Sequence, residues 1–293
     1  MKKVFLLFML VLGTGSYSQS SMSEIQSAMD QGRLVTAKKL LHQRVSDNPK
    51  DAVALAYLGD VAGFEKDWDA SMAFYKNLVQ THPSNADYSF KYGASLGMKA
   101  LSISKIQSVI YIADIKKYLE KAVKLDPKHV QARRVLVELY IKLPGFLGGS
   151  LDKAQGYANE LENLNKVDYF LAQAFILKEG KGLAEAEVFF KKALEANQQL
   201  ESHKKRNNLN YELGKVASDF QIFPQYGIKL LNEYIANFGY KDIYSLEWAY
   251  YNKAKLQAVL KNKSEAIKSI DKALTLRGNF KEAELEKKRI QQL

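Results

Sequence analysis

Cysteine is absent from the 293 residues, and that absence removes disulfides, thiolate metal sites and thiol nucleophiles together. Stability therefore rests on packing. Proline is scarce, at five residues, so long helices are permitted through most of the chain. Histidine is scarcer: His42, His82, His129 and His203 are far apart, and no two have the HExxH spacing that sets a pair of imidazoles on one helical face for zinc. Surface or turn positions are expected for them, with His82 and His129 beside Pro83 and Pro127. No G-x-S-x-G elbow presents a serine nucleophile. Carboxylates such as Glu185 and Glu187 fall on different helical faces, which suits a solvated surface better than acid–base work. The motifs thus support no enzyme, cofactor or metal site.

What is present begins with Lys2 and Lys3, followed by a nine-residue apolar run from Val4 to Leu12 and small residues Ser16 and Ser18 before Gln19. This order is that of a signal peptide. The run is too short to cross a hydrocarbon core about 30 Å thick, and no later stretch approaches the ~20 apolar residues of a membrane span. Residues 1–18 are expected to be cleaved on export, leaving a chain of residues 19–293 in the periplasm, outer envelope or medium. No cysteine follows the run, so no lipoprotein anchor is expected. Elsewhere, 47% hydrophobic and 26% charged residues are ordinary for a folded chain.

The next signal is a repeat. Pro49 and Pro83 lie 34 residues apart and bracket a block with Leu55, Leu58, Gly59 and Ala62 in one helix and Ser71, Tyr75 and Leu78 in the next. Small residues at Gly59 and Ser71 let two helix backbones approach, while Leu58 and Tyr75 fill the volume between them. The pattern resembles that of the tetratricopeptide-repeat family, in an exported bacterial form. Its further blocks include Tyr92, Gly93 and Leu119; Leu136 and Tyr140; Ala174 and Phe190; Gly214 and Leu231; and Ala254 and Ile270. The resemblance implies an all-α fold, a right-handed α-solenoid of about seven helix–turn–helix units, with a polar capping helix over residues 281–293. Between Gly93 and Leu119 about ten residues are inserted relative to the family template. Residues 197–207 are polar and without apolar period, so the array either continues or bends there.

The family also implies where to look for function, because the first helix of each unit lines a concave groove. The matching positions include Tyr57, Asp60, Phe90, Lys91, Arg134, Glu138, Phe175, Lys178, Tyr211, Lys215, Trp248, Tyr251, Asn252 and Lys255. Aromatics interleave with cations, as suits an extended peptide or another protein held by ring contacts and charge-assisted bonds. The alternative for each ring is packing against the next repeat. The family's carboxylate clamp is not matched, since its positions hold Ala56, Asp60, Lys91, Gln131 and Val135.

Two further features have plain readings. Pro144 to Ser150, PGFLGGS, lacks the Gly-Lys-Ser/Thr ending of a phosphate loop and reads as a turn, with Ser150 or Asp152 capping the next helix and Phe146 and Leu147 as an apolar tip. The net charge of +11 is dispersed in short basic runs, which favours a solvated face. An alternative is attraction to an anionic envelope polymer, a glycan or lipid head groups, weakening with salt. Nucleic acid does not fit an exported chain.

Overall fold

The computed structural model describes residues 21–180, 182–200 and 206–293, and the expected signal peptide, His203, Lys204 and Lys205 lie outside them. The described residues form fifteen α-helices and no strand, as the repeat pattern requires. The helices pair as α1 (Met22–Asp30) with α2 (Leu34–Asp47), α3 (Ala52–Phe64) with α4 (Trp68–Thr81), and α5 (Ala86–Leu101) with α6 (Lys105–Leu125). Then come α7 (Val130–Lys142) with α8 (Leu151–Glu160), α9 (Lys166–Gly180) with α10 (Leu183–Gln199), and α11 (Asn207–Phe220) with α12 (Pro224–Ala236). Last are α13 (Leu246–Val259) with α14 (Lys263–Leu276), covered by α15 (Lys281–Gln291). Partners within each pair are antiparallel neighbours, each second helix packs on the first helix of the next unit, and α7 also packs on α9 and α11 on α13.

Short polar residues set the starts. Ser21, Asp51, Asp67, Asn85, Ser104, Ser150 and Asn262 each accept a backbone N–H of the following helix through the side chain, satisfying donors that the helix itself leaves open. His129 does the same for α7, its Nδ1 accepting from the Ala132 amide at 3.2 Å. That corrects the expected surface histidine: His129 is buried, its ring lies 4.8 Å from that of Phe90, and burial lowers its pKa. The turn reading of residues 144–150 is seen directly as a 3₁₀ turn at Gly145–Leu147, then Gly148 at φ +87° and the Ser150 cap.

The pairs close through small-to-large contacts. A β-carbon at Gly59 would sit 2.7 Å from the buried Tyr75 ring, whose hydroxyl donates to the Ala56 carbonyl at 3.0 Å. Ser71 donates to the Gly59 carbonyl at 3.0 Å and is 2.9 Å from Ser95, so α3, α4 and α5 meet at one set of short side chains. The inserted residues lengthen one hairpin: α5 has 16 residues and α6 has 21, against 13 and 14 in α3 and α4.

The same substitution should therefore have opposite signs at two helical glycines. Gly59→Ala forces the Tyr75 ring aside and is expected to lower the urea midpoint by the equivalent of about 1–3 kcal/mol. Gly97→Ala in α5 meets open space and is expected to raise stability by about 0.5–1 kcal/mol. Urea titrations of both variants read the two signs.

Candidate concave binding face

The middle of the concave face is built on a buried charge cluster. Arg134 of α7 donates from Nη1 to Asp168 Oδ1 of α9 at 3.2 Å and from Nη2 to Glu212 Oε1 of α11 at 2.5 Å. Arg206, just before α11, donates to the other Asp168 oxygen at 2.6 Å. Asp168 opens α9 because the Asn165 side chain accepts its amide and that of Val167, which holds the carboxylate at the helix start facing both guanidinium groups. Burial alone works against the charge on Arg134, but Glu212, Asp168 and Glu138 together outweigh it and hold the guanidinium firmly protonated. Burial likewise pushes the Glu138 carboxyl up, with Arg134 opposing. Three successive units are thus tied through one carboxylate.

The segment joining α12 to α13, residues 237–245, then folds inward over this face. Tyr244 stacks on Tyr211 with ring centroids 4.2 Å apart, and the Tyr234 hydroxyl donates to its carbonyl. Burial, then the Glu212 and Glu138 carboxylates, push the Tyr244 hydroxyl above its ordinary pKa. Asp242 accepts from the Gly239 amide at 2.8 Å and from Asn207 at 3.0 Å, while Asn208 bonds the Lys241 carbonyl and the Ile243 amide. Both edges of the segment are pinned to the start of α11. Its far side reaches the first units of the array: Phe238 lies 6.0 Å from Phe64, and Tyr240 lies 6.4 Å from Tyr57 in the cluster of Ile25, Ala28, Leu58 and Val61. The protein's own chain occupies the centre of its groove.

Open surface remains on either side. Towards the N-terminus a depression of about 310 Å³ is lined by Val53, Ala56, Tyr57, Asp60, Tyr88, Lys91 and Lys241. Lys91 bridges both Asp60 oxygens there at 2.6 and 2.7 Å. Towards the C-terminus, Lys215 pairs with Asp219, Lys255 lies 3.6 Å from the same carboxylate, and its Nζ stands 5.5 Å from the Tyr251 ring centroid. Among the described residues no group of three or more His, Asp or Glu is arranged to hold a metal, and no helix is long and apolar enough to cross a membrane.

Residues 249–280, running from α13 through Phe280, match the family model for the tetratricopeptide repeat. A tetratricopeptide repeat protein from Parabacteroides merdae ATCC 43184 has the same fold, with a TM-score of 0.50 at 14% identity over 92% of this chain and 97% of that one. This chain has the fold of a tetratricopeptide-repeat solenoid. A thermophilic tetratricopeptide protein of Thermus thermophilus aligns over 60% of this chain and 93% of its own, at 18% identity and a TM-score of 0.49. No curated protein matches the sequence.

Within the tetratricopeptide frame, the expected groove residues divide. Tyr211 and Asn252 are buried and present no face to a partner; Asn252 donates to the Trp248 carbonyl at 2.9 Å. Arg134 is committed to its three carboxylates, and Phe90 to His129. Phe175 packs against the core with Lys142 Nζ 5.5 Å from its centroid, while Trp248 meets Phe280 edge-on at 4.6 Å and seats the capping helix. Tyr57 contacts Tyr240 and donates to Gln26 at 2.6 Å. Lys91, Lys215, Tyr251 and Lys255 keep accessible surface. Sequence reasoning missed Tyr240, Lys241 and Tyr244, although three aromatics within residues 238–244 of a linker were the available sign that it is buried.

Arg134→Ala leaves Glu212 without its arginine and Asp168 with one fewer, and is expected to cost about 3 kcal/mol. Lys215→Ala, removing an exposed pair, is expected to stay within about 0.5 kcal/mol. Differential scanning calorimetry of the two variants checks the contrast.

Proposed function

We propose that this protein is a non-catalytic scaffold that binds another protein, through an extended segment of it, at the open N-terminal part of the concave face. The observation that carries this reading is the depression between Tyr57, Tyr88, Asp60, Lys91 and Lys241. Aromatic walls around a single ion pair supply ring contact area together with two ammonium groups that a partner's carboxylate can engage by displacing Asp60. The self-filled centre limits the occupant to a short segment at one end of the array, where an empty groove would hold a long one. The Lys215, Tyr251 and Lys255 patch offers a second, shallower contact for the same partner.

The tetratricopeptide array is an interaction fold, and the absence of catalytic motifs in the sequence supports a role without turnover. The Lys2–Lys3 pair and the Val4–Leu12 run support placing that role outside the cytoplasm, in the periplasm, outer envelope or medium.

Cross-linking the protein in its native envelope fraction tests the reading, with a Lys91→Glu/Lys241→Glu variant beside a Lys281→Glu/Lys288→Glu control of equal charge on the cap. The expected result is one protein captured by the parent and the control and reduced at least tenfold in the depression variant, as befits two charge reversals at about 1.4 kcal/mol per decade. Equal loss in both variants would show a diffuse charge effect and reject the depression as the site.

A further inference from the structure

The lengthened α5–α6 hairpin projects from the solenoid with an apolar tip. The three extra residues of α5 over α3 and the seven of α6 over α4 lengthen its two arms by about 5 and 10 Å at 1.5 Å per residue. Leu101, which ends α5, is 81% exposed, and Ile106 and Ile110 in the first turns of α6 are 87% and 75% exposed, with Val109 exposed beside them. Their buried counterparts, Ile112, Ile115 and Leu119, lie on the opposite face of the helix and complete the core, so the outer stripe is not needed for folding. Scattered single apolar residues need no explanation, but a contiguous cluster at the end of a protrusion does.

The chemistry changes along that stripe. At helical spacing it runs Ile106, Ile110, Ala113, Lys117 and Lys124, apolar at the tip and cationic towards the base, with Lys121 alongside. Asp114 is the acidic residue on this face, and Glu120 is engaged by the Tyr140 hydroxyl. Lys105 stands exposed at the tip, where a four-carbon stem can lie along apolar surface with its ammonium in water. From Ile110 to Lys117 is about 10 Å along the helix axis. An interfacial apolar face enters a bilayer by about 5–10 Å, so Lys117 would stand at the level of the lipid phosphates when the tip is buried.

We propose that the α5–α6 tip inserts into the surface of an anionic lipid bilayer, with Lys117 at the head groups and Lys121 one turn behind it. A convex tip has no cleft to match, which suits a fluid surface better than a shaped protein pocket. A second copy of the chain fits less well, since tip-to-tip packing would bring two sets of lysines together in a chain of net positive charge. This proposal stands independently of the concave-face reading.

Because the chain has no cysteine, an environment-sensitive fluorophore on Ile106→Cys reports on the tip alone in the full chain. With vesicles of phosphatidylcholine and phosphatidylglycerol, its emission should shift to the blue at lipid concentrations that leave a Leu285→Cys label on the capping helix unchanged. Adding Lys117→Glu/Lys121→Glu should raise the lipid needed by about tenfold or more, as expected from roughly 1 kcal/mol per cation near an anionic surface. Pure phosphatidylcholine should be the weaker binder, and added salt should weaken the anionic case. Binding of the protein to vesicles with the Ile106 label still in water would overturn the proposal, because attachment would then lie elsewhere. A blue shift that grows with protein concentration without lipid would overturn it in favour of self-association.

Discussion

The carboxylate of Asp168 is the point on which the rest of the molecule turns. It is buried, and it is held by Arg134 from the preceding unit and Arg206 at the start of the next. Removing such a charge from water costs several kcal/mol, and only close, geometrically matched cations offset it. The consequence is positional more than stabilising. Three first helices are drawn to one spacing, and Arg134 reaches past α9 to Glu212, 78 residues away. At that spacing the concave face is tight enough for residues 237–245 to touch the far wall.

What closes the face is apolar. Tyr240 enters the core of α1 and α3, Phe238 meets Phe64, and Tyr244 stacks on Tyr211. Tyr240 is the buried ring of the segment and Phe238 and Tyr244 are half-buried, so Tyr240 contributes most, about 1.5–3 kcal/mol of transferred area, while the bonds of Asp242, Asn207 and Asn208 fix the path of the segment more than they add to stability. A nearest-neighbour solenoid has no contacts between distant units. Here the sixth unit meets the first two, so the array gains a long-range restraint and its groove is divided into an N-terminal and a C-terminal part. Two surfaces of different kinds are then left open by one chain: a concave one with aromatics and paired charges, and an apolar tip on the longest hairpin.

The helix pairs could be read from the chain because each unit is local. Gly59 against Tyr75 or a side chain capping the next amide needs only neighbours within one period, and the period is written in residues such as Pro49 and Pro83. The lengthened α5–α6 hairpin was legible for the same reason, as extra positions between Gly93 and Leu119. The candidate site was legible only in part. The helix face of Arg134, Tyr211 and Asn252 follows from the repeat register, but whether that face meets solvent depends on superhelical spacing, which is set by contacts such as Arg134 with Glu212 that no periodicity encodes. His129 escaped for a related reason: a turn position beside Pro127 reads as exposed until Phe90 and Asp87 of the adjacent unit are seen to cover it.

The most direct test of the self-closed concave face uses the same lack of cysteine. Spin labels on Val53→Cys and Lys241→Cys both line the N-terminal depression, one on α3 and one on the segment between α12 and α13. Double electron–electron resonance should return one short, narrow distance distribution, unchanged across protein concentration. A broad distribution at long distance would mean that residues 237–245 stand away from α1 and α3, and would contradict a groove divided by its own chain.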